Sequence, residues 1–151
     1  MEELAAFGRM GDPPDPRAEE TFQRSKLQHG LKLEGDHKVL MRFYRELLRV
    51  RKIFTASNSI KEVLSYEVEK VLLIRFGGEG PGVVGLLHFN RTAGNITLPW
   101  PPGAWLKELD SAEKRRGGHG SRVPPVIGGS EEVSLSLAPH SFAFFLDRNN
   151  I

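Results

Sequence analysis

Asp36-His37-Lys38-Val39-Leu40-Met41-Arg42-Phe43-Tyr44-Arg45-Glu46-Leu47-Leu48-Arg49-Val50-Arg51-Lys52 is the stretch at which this chain changes character. Leu40, Phe43, Tyr44, Leu47, Leu48 and Arg51 recur at i, i+3, i+4, i+7, i+8 and i+11, and five of these six are apolar or aromatic. Successive helical residues turn by about 100°, so this spacing lines them along one face. Asp36 suits an N-cap, because its carboxylate can accept from the N–H groups that a first turn leaves without partners. The spacing therefore predicts a helix over about 36–52. Lys38, Arg42, Arg45, Arg49 and Lys52 fall off the stripe. With no aromatic residue interleaved among them, they read as a solvated face rather than a nucleic-acid surface.

Upstream, prolines at 13, 14 and 16 forbid a continuous helix at the start of the chain. A short helix fits Arg17 to Gln28, with Pro16 at its entry, Glu19 and Glu20 in its first turn, and Phe22 and Leu27 as anchors. Gly30 and Gly35 bracket the break before the principal helix.

Downstream, the apolar period becomes two. Strands are expected at Glu62 to Glu69, Val71 to Phe76, Val83 to Phe89, Asn95 to Leu98, Ala104 to Asp110, Glu132 to Leu137 and Ser141 to Asp147. The run Val83 to Phe89 suits a central strand buried on both faces. Lys114 to Gly129 holds five glycines and two prolines with few apolar anchors, which predicts a long mobile loop. The fold class that follows is mainly β with an α lead-in: an antiparallel β-sandwich preceded by one or two helices. The division is 1–57 for the irregular lead and helices, and 58–151 for the sandwich.

The 151 residues include 39% hydrophobic and 26% charged side chains, the balance of a water-soluble domain with a real core. A net charge of +2 favours neither nucleic acid nor a membrane as partner, and no apolar run reaches the roughly 18 residues a span needs. Cysteine is absent, which excludes disulfides, thiolate metal sites and a cysteine nucleophile. The acidic start Met1-Glu2-Glu3-Leu4 lacks a signal-peptide pattern, so a cytoplasmic location is expected. The Asn-x-Thr triplets at Asn90 and Asn95 are then chance matches.

Candidate chemistry is sparse. Gly77-Gly78-Glu79-Gly80-Pro81-Gly82 is followed by a strand pattern rather than a helix, so it reads as a hairpin loop and not a phosphate cradle. The five histidines show no metal-ligand spacing, and His88 within an apolar strand reads as a hydrogen-bonded core residue. No metal site or cofactor is expected. Glu108 and Asp110, two apart on one strand, should share a face, but nothing concave is expected around them, so no catalytic residue is assigned. Trp100 and Trp105 are the candidates for stacking on a sugar ring; packing inside the domain or against a neighbour is the competing reading.

In sequence order, Pro14-Asp15-Pro16, Thr21-Phe22, Ser25-Lys26-Leu27 and the helix pattern Leu40…Phe43-Tyr44-Arg45…Leu47-Leu48…Arg51 resemble the C-terminal end of malto-oligosyltrehalose trehalohydrolases of the α-amylase superfamily. Leu87-His88-Phe89-Asn90, Leu106…Asp110-Ser111 and Leu137-Ala138-Pro139-His140-Ser141-Phe142-Ala143 are similar, more loosely, to strand ends of that superfamily's closing domain. The resemblance implies the last helix of a (β/α)8 barrel at about 36–52, then the C-terminal sandwich. The catalytic residues of such enzymes project from barrel strands, so no residue here inherits a catalytic role. The partner implied is the catalytic barrel, with α-glucan as the substrate class of the parent enzyme and trehalose release as its reaction. A homodimer through helix 36–52 is expected where that barrel is missing. The alternatives are a free-standing carbohydrate-binding or protein-interaction module, and the corresponding domain of a glycogen branching enzyme.

Overall fold

A computed structural model describes residues 14–56, 60–77, 82–128 and 131–147. Helix α1 spans Glu19–Ser25, a 3-10 helix spans His29–Leu33, and α2 spans Gly35–Ala56. Eight strands follow: β1 Ile60–Tyr66, β2 Val71–Phe76, β3 Val83–His88, β4 Gly94–Pro99, β5 Ala104–Asp110, β6 Val126–Gly128, β7 Glu132–Leu137 and β8 Ser141–Asp147. A further 3-10 turn covers Lys114–Arg116.

The strands form two antiparallel sheets, one in the order β1-β2-β3-β8-β5-β6 and a smaller pair β4-β7. Alternate residues of each sheet meet across a common core. Val71, Leu73, Val84, Leu86, Ala143 and Phe145 come from the large sheet, and Ile96, Leu98, Leu135 and Leu137 from the small one. This is the expected sandwich, with a helical lead-in. The centre of the large sheet is apolar on both faces, as β8 shows: Ala143 and Phe145 join the core, while Phe142 and Phe144 lie on the opposite face. That outer face is where α2 packs.

Four local expectations change. Helix α2 opens at Gly35 with φ +45°, a conformation that glycine takes readily. The Lys38 N–H donates to the Glu34 carbonyl at 3.0 Å, so Asp36 sits in the first turn instead of capping it. The upstream helix is shorter than 17–28, and the 3-10 helix His29–Leu33 follows it.

The segment Lys114 to Gly129, expected to be a long mobile loop, is pinned along its described length. Val123 and Ile127 are buried in the core, β6 pairs with β5, and the Gly120 N–H donates to the Ala112 carbonyl at 2.7 Å. Gly118 is required there, since a Cβ would lie 2.3 Å from the Ala112 carbonyl. Finally, β5 carries a register shift between Lys107 and Leu109, a bulge that reverses the alternation. Leu109 then pairs with outward-facing Phe144, and Asp110 with inward-facing Ala143. Glu108 and Asp110 therefore do not share a face. Asp110 is buried, whereas Glu108 pairs with Arg49 on α2.

Candidate functional site

The apolar arc of α2 is wider than one contact uses, and its two halves have different fates. One half packs on the sheet. Val50 is 1% exposed, and the Phe43 ring stacks on Phe142 with centroids 6.1 Å apart. Ion pairs fasten the same side. The Arg116 guanidinium, almost wholly buried, donates from Nε to Glu46 Oε2 at 2.7 Å and also pairs with Glu113. Lys107 reaches Glu113 at 3.4 Å and Asp110 at 3.6 Å. Burial alone would raise the Glu113 pKa. The Arg115 hydrogen bond and the charges of Arg116, Arg115 and Lys107 outweigh it, and hold this carboxyl below the usual range.

The other half of the arc is bare. Leu40, Tyr44 and Leu48, at i, i+4 and i+8, are 51%, 59% and 56% exposed. The expected single stripe is thus divided: Phe43 belongs to the packed half, Leu40, Tyr44 and Leu48 to the open one. Neither α1 nor the first 3-10 helix contains a buried residue, and Leu27 is 80% exposed. Between these lead elements and α2 runs a groove of about 490 Å³, walled by Leu27, Leu31, Leu40, Met41 and Tyr44. A seven-residue helix is not stable in water on its own propensity.

The polar candidates are structural. His88 is buried, and its Nδ1 lies 2.6 Å from the Ala138 carbonyl, which also accepts from Ser141 Oγ at 2.7 Å. This is the hydrogen-bonded core histidine the sequence suggested. Asp110 caps its own turn, accepting from the Ala112 N–H at 2.8 Å. His88, Asp110 and Ser141 border a cavity of only about 10 Å³, room for about one water and not for a substrate. Among the described residues no group of three or more His, Asp or Glu is arranged to hold a metal. Residues 78–81 of the glycine-rich loop lie outside the described residues; strand β3 follows them, not a helix.

Trp100 and Trp105 are both in the core, at 3% and 5% exposure, which corrects the sugar-stacking assignment. Trp100 meets Trp105 and Phe145 edge to face at 6.4 and 5.3 Å, and Trp105 Nε1 donates to the Pro101 carbonyl at 3.0 Å. The Pro-flanked turn folds Trp100 inward against Phe145 of β8. Among the described residues, the aromatic rings that do face solvent are Phe22, Tyr44 and Phe89. Phe22 and Tyr44 belong to the helix patterns read from the sequence, whereas Phe89 does not stand out there, because it ends an apolar run.

The geometry defines a β-sandwich with a helical lead, one side of which is exposed. No family model matches the chain. A malto-oligosyltrehalose trehalohydrolase from Deinococcus radiodurans is 49% identical over 41 residues, covering 27% of this chain and 7% of that enzyme. This agrees with the resemblance read from the sequence. Among solved structures, MutB crystals soaked with trehalulose give a TM-score of 0.50 at 16% identity, over 70% of this chain and 17% of that one. The monoclinic form of the trehalulose synthase MutB from Pseudomonas mesoacidophila MX-45 gives 0.46 over the same shares. The first likeness establishes a fold shared with part of that enzyme. In each comparison the region shared with this chain is a small part of the known enzyme.

No helix among the described residues is long and apolar enough to cross a membrane.

Proposed function

We propose that this chain is the last barrel helix and C-terminal β-sandwich of a cytoplasmic, α-glucan-active glycoside hydrolase of the malto-oligosyltrehalose trehalohydrolase kind. Its work is structural: it covers and stabilises the edge of the catalytic (β/α)8 barrel, and it has no catalysis of its own. One observation carries the reading. The open half of α2, with Leu40, Tyr44 and Leu48 half-exposed beside a lead-in that buries nothing, is a face shaped for a large apolar partner. The partial match to a trehalohydrolase supports the nature of that partner, and the shared fold with a small part of MutB supports a sandwich that belongs to a larger enzyme.

A complementation assay tests this. The chain alone should release no trehalose or glucose from malto-oligosyltrehalose. Mixed with the barrel of a related trehalohydrolase lacking its own C-terminal domain, it should raise that barrel's activity, and Tyr44→Glu should abolish the gain. Hydrolysis by the chain alone, or a gain indifferent to Tyr44→Glu, would overturn the proposal.

A further inference from the structure

The turn between β1 and β2 is built against its own chemistry. Glu67-Val68-Glu69-Lys70 joins the strands, and Lys70 takes φ +56°, the left-handed region where a β-carbon crowds the backbone. Glycine or asparagine relieves that crowding at such a position, and the turn contains neither. The Lys70 carbonyl accepts the Phe89 N–H at 2.9 Å, which ties the turn to the end of β3. Lys70, Glu67, Ser65, Tyr66, Leu72 and Phe89 consequently wall one groove of about 280 Å³. Phe89 is 56% exposed, although its neighbour His88 is buried in the core.

We propose that this groove is a surface site for an α-glucan, with Phe89 as the stacking plate and Lys70 and Glu67 as its hydrogen-bonding rim. A pyranose ring offers an apolar C–H face and a rim of hydroxyls that both donate and accept. An aromatic ring supplies a flat apolar contact at little entropy cost. An ammonium only donates and a carboxylate only accepts, so Lys70 and Glu67 together match both roles of the hydroxyls. At about 280 Å³ the groove lies just below the usual range of about 300–1,000 Å³ for small-ligand sites, which limits it to one or two sugar rings. The left-handed lysine fits this use, since a glycine would make the easier turn but leave no donor. The choice of an α-linked sugar rests on the α-glucan reading above; the site itself does not depend on barrel docking.

The full chain is titrated with maltoheptaose, and in parallel with cellohexaose, while amide shifts are followed by ¹H–¹⁵N NMR. Maltoheptaose should produce saturable shifts at Glu67 to Lys70 and at Phe89, and cellohexaose much weaker ones. Phe89→Ala should weaken binding about tenfold or more. Lys70→Gly is the sharper variant: its thermal midpoint should hold or rise as the backbone relaxes, yet its affinity should fall. Tyr44→Ala should bind as the parent chain does. No saturable shift at these residues, equal binding of cellohexaose, or a folded Lys70→Gly with unchanged affinity would each overturn the proposal. If that failure came with successful barrel complementation, the structural role would stand and only the sugar site would fall.

Discussion

Replacing Arg116 by methionine removes one guanidinium from beneath α2 and keeps most of the apolar stem that packs there. The side chain of Arg116 is 4% exposed, and its partners Glu46 and Glu113 are 36% and 19% exposed. Deleting one member of a fully buried pair costs about 3–5 kcal/mol, because the charge left behind has no solvent. An exposed pair is worth about 0–1 kcal/mol. Glu46 can rehydrate at the edge of the helix, while Glu113 keeps Arg115 and Lys107 as partners. The expected loss therefore lies between the limits, at about 2 kcal/mol. Urea melts of the parent chain, Arg116→Met, Glu46→Gln and the double variant supply the measurement. The cycle should return a coupling of about 1 kcal/mol or more between Arg116 and Glu46. A loss below about 0.5 kcal/mol, or strict additivity, would mean that apolar packing alone seats the helix.

The two halves of α2 should respond differently to truncation: Val50→Ala should cost about 1–3 kcal/mol, whereas Leu48→Ala should stay within about 0.5 kcal/mol in the same melts. Equal effects would refute the division of the arc. The acid limb of stability should carry a Glu113 signature. Its folded pKa is depressed, so its contribution is full above the unfolded value of about 4.3 and is lost as pH falls through the folded value. Glu113→Gln should accordingly be destabilising at neutral pH and flatten the decline below about pH 4, as read from thermal midpoints across pH. Without a barrel, the open face should pair with its copy, giving a sedimentation mass that rises with concentration and returns to the monomer in Tyr44→Glu. A strict monomer throughout would retire that expectation.

The strands were legible because β7 alternates polar and apolar residues, while β2, β3 and β8 are short apolar runs. Turn residues then bound them at Pro99–Gly103 and Ala138–His140. The bulge in β5 was not, since a single extra residue leaves the composition unchanged and moves only the register. Lys114 to Gly129 reads as loop because glycine and proline dominate it; its order comes from two apolar residues, Val123 and Ile127, reaching the core from far along the chain. Helix α2 shows most plainly where sequence reasoning stops. Periodicity reveals an apolar arc, but which part of that arc meets the sheet depends on Phe142 and the Arg116–Glu46 pair, both set by tertiary placement. The same limit applies to the tryptophans: the prolines around Trp100 announce a turn, and only the packing on Phe145 shows that it points inward.

Docking of a catalytic barrel on Leu40, Tyr44 and Leu48 can be read by hydrogen–deuterium exchange on the chain, alone and saturated with the barrel of a related trehalohydrolase stripped of its own C-terminal domain. Slowed exchange on binding should concentrate in the lead elements and the first half of α2, with the β4–β7 pair unchanged. Saturable binding that leaves α2 unprotected, or no binding at all, would contradict it.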